Sequence, residues 1–396
     1  MWLNLLLLGM AAHLAVLVLL YALGAPAVRK ARGLDGRTPA PGLPSPQPAV
    51  ALIVPLTGDS PALRQSLASL LDQQHVVLDA WFVVRDADDP AVRAVEEIGR
   101  GRNNVRLVVA GAATACCQKN HNLLAGIRAA GESPEILVFC DSSHQARPDF
   151  LVRLLEPVMR GRCALSTTHR RIVPGDHGLA TLCQYFAALA VMMLQNAPLL
   201  AQPWGGATAI RRAVFFKEGV DAVWARGIVD DFTMGPHLAR RGIRALPVPE
   251  AALTTPLAGQ TWTGFLDWWT RQLFYLKFCM PLVWLAVTLV PLGAGAILAA
   301  ACWFLLAGIA GPWGSAAWAA AAYLGLLAVL GLSFGALSES RAPAWRWAAA
   351  FLLMQAASVF CYVRTWTTNT LTWRGIRYQA RLDGTVASVR HEDSGK

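Results

Sequence analysis

Three apolar stretches at the two ends of this chain carry no Asp, Glu, Lys or Arg: residues 1–28, 278–338 and 347–363. The first is nearly unbroken Leu, Ala and Val from Trp2 to Leu23. At about 1.5 Å per residue it is long enough to cross a hydrocarbon core of about 30 Å, which predicts a membrane anchor over 1–24. The second is too long for one span, and Gly311-Pro312-Trp313-Gly314 divides it into segments over 282–309 and 316–337. With the last segment, the block 280–366 predicts about three C-terminal transmembrane helices. Between these stretches the apolar runs are short. Residues 51–54 are closed by Pro55 and Gly58, and Ser60 with Pro61 predicts the start of a helix over 62–71. Runs over 80–84, 105–109 and 136–140 then alternate with helical patterns over 90–98 and 120–130. Such alternation predicts an α/β domain with a mostly parallel sheet covered on both faces. The uncharged run 177–210, broken by Gln184, Gln195, Asn196, Pro198 and Gln202, reads as a buried or membrane-facing helix and loop.

The remaining segments complete the plan. Residues 25–48 are rich in Pro and read as a stiff linker, the α/β domain occupies 49–258, and 367–396 form a basic tail. Over 259–279, Trp262, Trp268, Trp269, Phe274 and Tyr275 with Arg271 and Lys277 suit an aromatic helix lying along a membrane surface. No Lys or Arg precedes the first apolar run, while Arg29, Lys30 and Arg32 follow it. That asymmetry favours a retained anchor over a cleaved signal peptide and places the α/β domain in the cytoplasm of a multi-pass membrane protein. Four spans would return the tail to the opposite side, yet Arg364, Arg374, Arg377, Arg381 and Arg390 argue for the cytoplasm. A re-entrant turn at Pro291 and Gly293 would reconcile the two. The three charge-free stretches hold no Asp, Glu, Lys or Arg, which suits an anchor better than a transport path.

Composition narrows the function classes. Lys and Arg number 35 against 25 Asp and Glu, a formal charge of +10. No nucleic-acid motif accompanies that excess, and a basic surface facing anionic lipid accounts for it. Cys116 and Cys117 are adjacent, no Cys-x-x-Cys pair occurs, and Cys279, Cys302 and Cys361 fall in or beside apolar segments, so zinc sites and a disulfide framework are not expected.

In parallel sheets, ligands sit at the carboxyl ends of the strands. Asp86 and Asp141 follow two of the predicted strands, and Asp230-Asp231 opens a predicted helix. Taken singly, each is as well explained as a turn former or N-cap. As an ordered set, Val54-Pro55-Leu56-Thr57-Gly58, residues 84–91, Gln118-Lys119-Asn120-His121-Asn122-Leu123, Phe139-Cys140-Asp141-Ser142-Ser143 and Asp230-Asp231-Phe232 are more specific. The set resembles the inverting family 2 glycosyltransferases of GT-A fold, and within them most the ceramide glucosyltransferase branch, over about residues 54–271.

The resemblance implies roles. Asp86 would accept the uracil imide N–H of a UDP-sugar, Asp141 would bind Mg2+ or Mn2+ bridging the diphosphate, and Lys119 would face phosphate. Asp231, preceded by the acidic Asp230, would be the catalytic base. Trp204, Gly205 and Gly206 would belong to an acceptor-side loop. Two departures stand out. Asp141-Ser142-Ser143-His144 lacks a second carboxylate one residue on, leaving Ser143, His144 or water as the further ligand. The usual Gln-x-x-Arg-Trp element is replaced by Trp268-Trp269-Thr270-Arg271-Gln272, whose Arg271 and Gln272 would border the donor, with Trp268 and Trp269 on the acceptor side. The implied activity is transfer of a sugar, glucose first, from a UDP-sugar to a hydroxyl of a lipid such as ceramide. A hopanoid, a diacylglycerol or a polyprenyl phosphate are alternative acceptors. A transporter or non-catalytic membrane scaffold is the alternative of another class, disfavoured by the joint presence of Asp86, Asp141 and Asp231.

Overall fold

A computed structural model describes residues 2–33, 39–197 and 200–391. The chain opens with helix α1 (Trp2–Arg32). The α/β domain follows as β1 (Val50–Pro55), α2 (Leu63–Leu71), β2 (Leu78–Val84), α3 (Ala91–Gly99), β3 (Val105–Val109), α4 (Gln118–Ala130), β4 (Ile136–Cys140) and α5 (Phe150–Met159). Its second half contains β5 (Leu165–Thr167), β6 (Arg170–Pro174), α6 (Leu179–Gln195), β7 (Ala207–Arg211), α7 (Arg212–Lys217), α8 (Val220–Trp224), α9 (Asp231–Ala239), β8 (Leu246–Pro247) and β9 (Leu253–Leu257). Then come α10 (Trp262–Cys279), α11 (Pro281–Ala310), α12 (Ser315–Gly335), α13 (Ala344–Trp366), β10 (Thr370–Trp373), β11 (Ile376–Ala380) and β12 (Val386–His391).

The main sheet runs β3-β2-β1-β4-β7-β5-β8, parallel except where β7 pairs antiparallel with β4 and β5. Strands buried on both faces explain the unbroken apolar runs: β4 is buried throughout, and four residues of β1 are fully buried. One core, with Leu67, Phe82 and Phe150, lies under α2, α3 and α5; the other, with Ile53, Phe139, Phe215 and Trp224, lies under α4 and α7 to α9. A third core joins α1, α6, α12 and α13 and carries Phe186, Phe334, Trp347 and Phe351.

Among the described residues, four helices, α1, α11, α12 and α13, are long and apolar enough to cross a membrane. Several sequence expectations are corrected. The anchor does not end at residue 24: α1 continues through Pro26 to Arg32, because Ala25, Val28 and Ala31 are buried and Arg32 Nη1 donates to Leu337 O at 2.9 Å. Ser60 caps nothing with its side chain; its carbonyl accepts Leu63 N–H in a turn, and α2 starts one residue later than expected. Pro291 and Gly293 do not hide a re-entrant turn, since α11 is one helix through both. Proline is tolerated in membrane helices where neighbours compensate for the missing hydrogen bond. The run 177–210 does contain a buried helix, α6, although Pro198 lies outside the described residues. Residues 367–391 are no loose tail: they hold the antiparallel sheet β10-β11-β12, docked on the α/β domain. The amides of Ile228 and Val386 bond across to Gly384 O and Arg226 O, and Tyr378 OH accepts Gln118 N–H at the start of α4.

Candidate functional site

The carboxyl edge of the sheet gathers the expected acids. Asp141 directly follows β4, and Asp86 stands two residues past β2; β1 separates the two strands. Asp86 is partly exposed and paired with Arg85. Asp89 Oδ1 ties the loop beyond it, accepting the amides of Ala91 and Gly58, both at 2.9 Å.

Lys119, in the first turn of α4, is the hub of the site. Its ammonium lies 2.7 Å from Asp141 Oδ1 and 3.0 Å from Asp230 Oδ2, and donates to Gly205 O at 3.0 Å. Burial pulls its pKa down, but Asp141, Asp230 and Asp231 outweigh that and hold it well above the ordinary lysine value. It is therefore a fixed cation. In this structure the side chain is clamped between two carboxylates.

Asp230 and Asp231 divide their labour. Asp230 is buried, with a side chain 3% exposed, and its backbone oxygen accepts Trp224 Nε1–H at 3.0 Å and the Thr233 hydroxyl at 3.1 Å. Asp231 is less enclosed: Oδ2 accepts Gly205 N–H at 3.1 Å and Oδ1 accepts Phe232 N–H at 2.7 Å. Burial first and the Asp230 charge second push the Asp231 carboxyl up to about 7, against the opposing pull of Lys119 and the two amides. A carboxylate with a pKa near neutrality suits a general base, because a substantial fraction is ionised at neutral pH while it is still basic enough to take a proton.

The glycine pair is required by close approach. A Cβ on Gly205 would stand 2.3 Å from Asp230 Oδ2, and one on Gly206 would stand 2.1 Å from the Trp204 ring. Gly206 O also accepts Asp141 N–H at 3.1 Å, so the loop before β7 is stitched to β4. The Trp204 ring packs on His144 at 5.0 Å and near His169 at 6.4 Å between centroids, so part of its surface serves packing. Burial depresses both imidazoles to about 3, with Arg170 and Lys119 adding to the effect at His144.

His144 bears on metal binding. Its Nδ1 is 2.8 Å from Thr255 Oγ1, while Nε2 is buried without a hydrogen-bond partner and lies 3.9 Å from Asp141 Oδ2. With Asp141 Oδ1 taken by Lys119, the free Oδ2 and the orphaned Nε2 form a two-donor set. No cluster of three or more His, Cys, Asp or Glu able to hold a metal occurs among the described residues. The pair fits a divalent cation that takes its other ligands from a bound diphosphate and water.

On α10 the expected residues part ways. Trp268 carries the Arg170 guanidinium 4.8 Å above its ring and stacks on Trp269. Trp269 Nε1–H donates to Ser358 of α13 at 3.0 Å, and the Gln272 amide donates to Trp268 O within its own helix, so these two side chains are engaged in packing. Arg271 stays close enough to weigh on Arg170. Arg170 is a member of the site that the sequence did not single out. Burial lowers its guanidinium to about 10, with Asp141 and Asp231 opposing. Only the fold of β6 against β9 carries it to the acids, and no spacing in the sequence signals that.

The chain matches the family model of Glycosyl transferase family 21 over residues 10–386. Among solved structures it is similar to the mannosyltransferase PcManGT from Pyrobaculum calidifontis in complex with GDP-Man and Mn2+, at TM-score 0.56 and 19% identity, covering 90% of this chain and 99% of that one. A weaker likeness, at TM-score 0.39 and 11% identity over 60% of this chain and 49% of that chain, is to GalNAc-T7 with UDP, GalNAc and Mn2+. The first of these shows a shared GT-A fold.

Proposed function

As the chain belongs to glycosyl transferase family 21, we propose that it moves a hexosyl group, glucose first, from a UDP-sugar to a hydroxyl of a membrane lipid with inversion at the anomeric carbon. The observation that carries this reading is the gathering of Asp231, fixed by the Gly205 and Phe232 amides, around a Lys119 held between Asp141 and Asp230; the upward shift of the Asp231 carboxyl agrees with it. In the proposed reaction Asp231 accepts the proton of the acceptor hydroxyl as its oxygen attacks the anomeric carbon from the face opposite the leaving UDP. The new glycosidic bond forms as the bond to the diphosphate breaks. Asp86, on the far side of β1, would receive the uracil.

The chain's fixed positive charges prepare that step. Lys119 and the half-buried Arg170 sit beside the carboxylates, where charge is worth more than in open water. Asp141 and His144 would hold Mg2+ or Mn2+, which supplies positive charge against the departing diphosphate. The Mn2+ bound by the similar archaeal mannosyltransferase supports that reading. Trp204, Gly205 and Gly206 would line the acceptor side, together with Trp268.

The apolar helices favour a lipid acceptor, and the ceramide-like class rests on the resemblance of the motif set. The basic run Arg29, Lys30 and Arg32 at the end of α1 supports a cytoplasmic α/β domain. A panel of labelled UDP-sugars tests the proposal against ceramide, hopanoid, diacylglycerol and polyprenyl phosphate, with and without chelator. Glucose transfer to ceramide with loss in chelator is expected. Transfer only to another lipid moves the acceptor, and absence of labelled lipid from every donor contradicts the enzyme reading.

A further inference from the structure

Of the four apolar helices, α13 has contacts that a membrane span would not make. It is 23 residues long, about 34 Å at the helical rise. Were it to cross, one end would be remote from the α/β domain. Both ends are bonded to elements on that domain's side. At the N-terminal end, Arg346 Nη1 donates to His177 O at 2.7 Å, and the Trp347 ring packs edge-on to Tyr185 and Phe186 of α6. Along its length, Cys183 Sγ meets Ala350 O and Trp269 Nε1–H reaches Ser358. At the C-terminal end, Arg364 pairs with Asp267 at 2.9 Å, and Lys277 Nζ donates to Thr368 O at 3.0 Å. Four residues after α13 ends, β10 begins the sheet whose Tyr378 meets Gln118 beside Lys119.

The other three apolar helices form a bundle on which α13 packs, Phe351 and Trp347 meeting Gly331 and Gly335 of α12 and Val359 meeting Gly295 of α11. Residues 13 and 21 of α1 meet Tyr323 and Phe334 of α12 in the same order, so these two run parallel. Between them in sequence, α11 returns the chain: Ile297 lies against Gly9 near the start of α1, and Gly308 lies against Ala317 at the start of α12. The parallel pair ends together, Arg32 bonding Leu337 O and Glu339 pairing with Arg171 of the α/β domain.

We propose that only α1, α11 and α12 cross the bilayer, and that α13 lies along the membrane surface on the side of the α/β domain. The face that α13 turns away from the protein carries exposed Leu353, Phe360, Val363 and Trp366. Its occupant is lipid, because the face is continuous with the lipid-exposed bundle and has Arg346 and Arg364 at its two ends. Charge supports the same count. No Lys or Arg occurs before Arg29 or between Lys277 and Arg341, so three crossings leave every cationic side chain of the sequence on one side. Four crossings would strand Arg374, Arg377, Arg381 and Arg390 opposite the domain to which their sheet is bonded. The tail thus stays beside the site without a re-entrant turn in α11. This inference rests on membrane anchoring and is independent of sugar transfer.

Single cysteines introduced into the full chain test it in sealed membrane vesicles. Arg100→Cys marks the α/β domain, Gly314→Cys the α11–α12 turn and Arg381→Cys the tail sheet, each labelled with a membrane-impermeant maleimide above the level of the parent chain. Labelling of Arg100→Cys and Arg381→Cys from the same side, with Gly314→Cys from the other, is expected. Labelling of Arg381→Cys together with Gly314→Cys overturns the proposal. A second readout is depth, from quenching of a fluorophore at Leu353→Cys, Phe360→Cys or Val363→Cys by chain-brominated lipids. Equal, shallow depths are expected, and a maximum at the bilayer centre at Leu353 overturns α13 as a surface helix.

Discussion

At the scale of single residues, the proposed reaction requires Asp231 to be ionised and Asp230 to stay paired with Lys119. Asp231→Asn should lower turnover roughly 100- to 10,000-fold, the usual worth of a general base. Binding of UDP, measured by calorimetry, should survive; retained turnover would remove the base assignment. The same carboxyl sets the pH response. Its pKa is raised to about 7, so the active, deprotonated form accumulates as pH increases, and kcat/KM should rise through about pH 7. His144, depressed to about 3, stays neutral across that range and contributes no inflection. A flat profile between pH 5.5 and 8.5 would contradict this ordering. Metal binding gives a third residue-level test. Thr255 orients His144 through Nδ1, so Thr255→Val should weaken Mn2+ affinity in the presence of UDP by about tenfold, read by electron paramagnetic resonance. Unchanged affinity in both Thr255→Val and His144→Ala would remove His144 from the ligand set. Gly205→Ala would drive a methyl into the Asp230 carboxylate, and overpacking of this kind costs about 1–3 kcal/mol. Thermal unfolding should register that loss together with a fall in activity.

At the scale of elements, the strands and the helices between them were legible because burial on both faces writes continuous apolar runs into the sequence. Residues 136–140 coincide with β4, which is buried throughout; residues 105–109 coincide with β3, a half-exposed edge strand read instead from its three valines and one leucine. Asp141 and Asp231 were legible because their segments keep a recognisable order. The Lys119 clamp was not, since it joins α4, β4, β7's preceding loop and α9 through side chains with no fixed spacing. The tail sheet was missed for a similar reason: its short strands alternate buried and exposed residues, as in Ile376–Ala380, amid many arginines that read as solvated. Its role is to buttress α4. Tyr378→Phe removes the hydroxyl that accepts Gln118 N–H, a bond worth about 1 kcal/mol, and leaves a buried amide unpaired. Faster amide exchange in the first turn of α4 is the expected signature, and unchanged exchange would argue that the sheet docks without supporting the site.

At the scale of the whole molecule, the charge-free stretches and the α/β domain form one apparatus. Helices α6 and α10 pack on α13 and on the bundle, so the carboxyl edge of the sheet is fixed relative to the membrane rather than tethered to it by a flexible chain. In the proposed reaction a lipid hydroxyl would be presented to Asp231 while the donor stays in water. The central claim is that this site glycosylates a lipid through Asp231. Its most direct test is transfer of radiolabelled sugar from UDP-glucose to lipid by the purified full-length chain in bilayers, compared with Asp231→Asn. The account predicts an inverted, β-linked glycolipid from the unaltered chain and none above background from the variant. Equal labelled lipid from both, or an α-linked product, would contradict it.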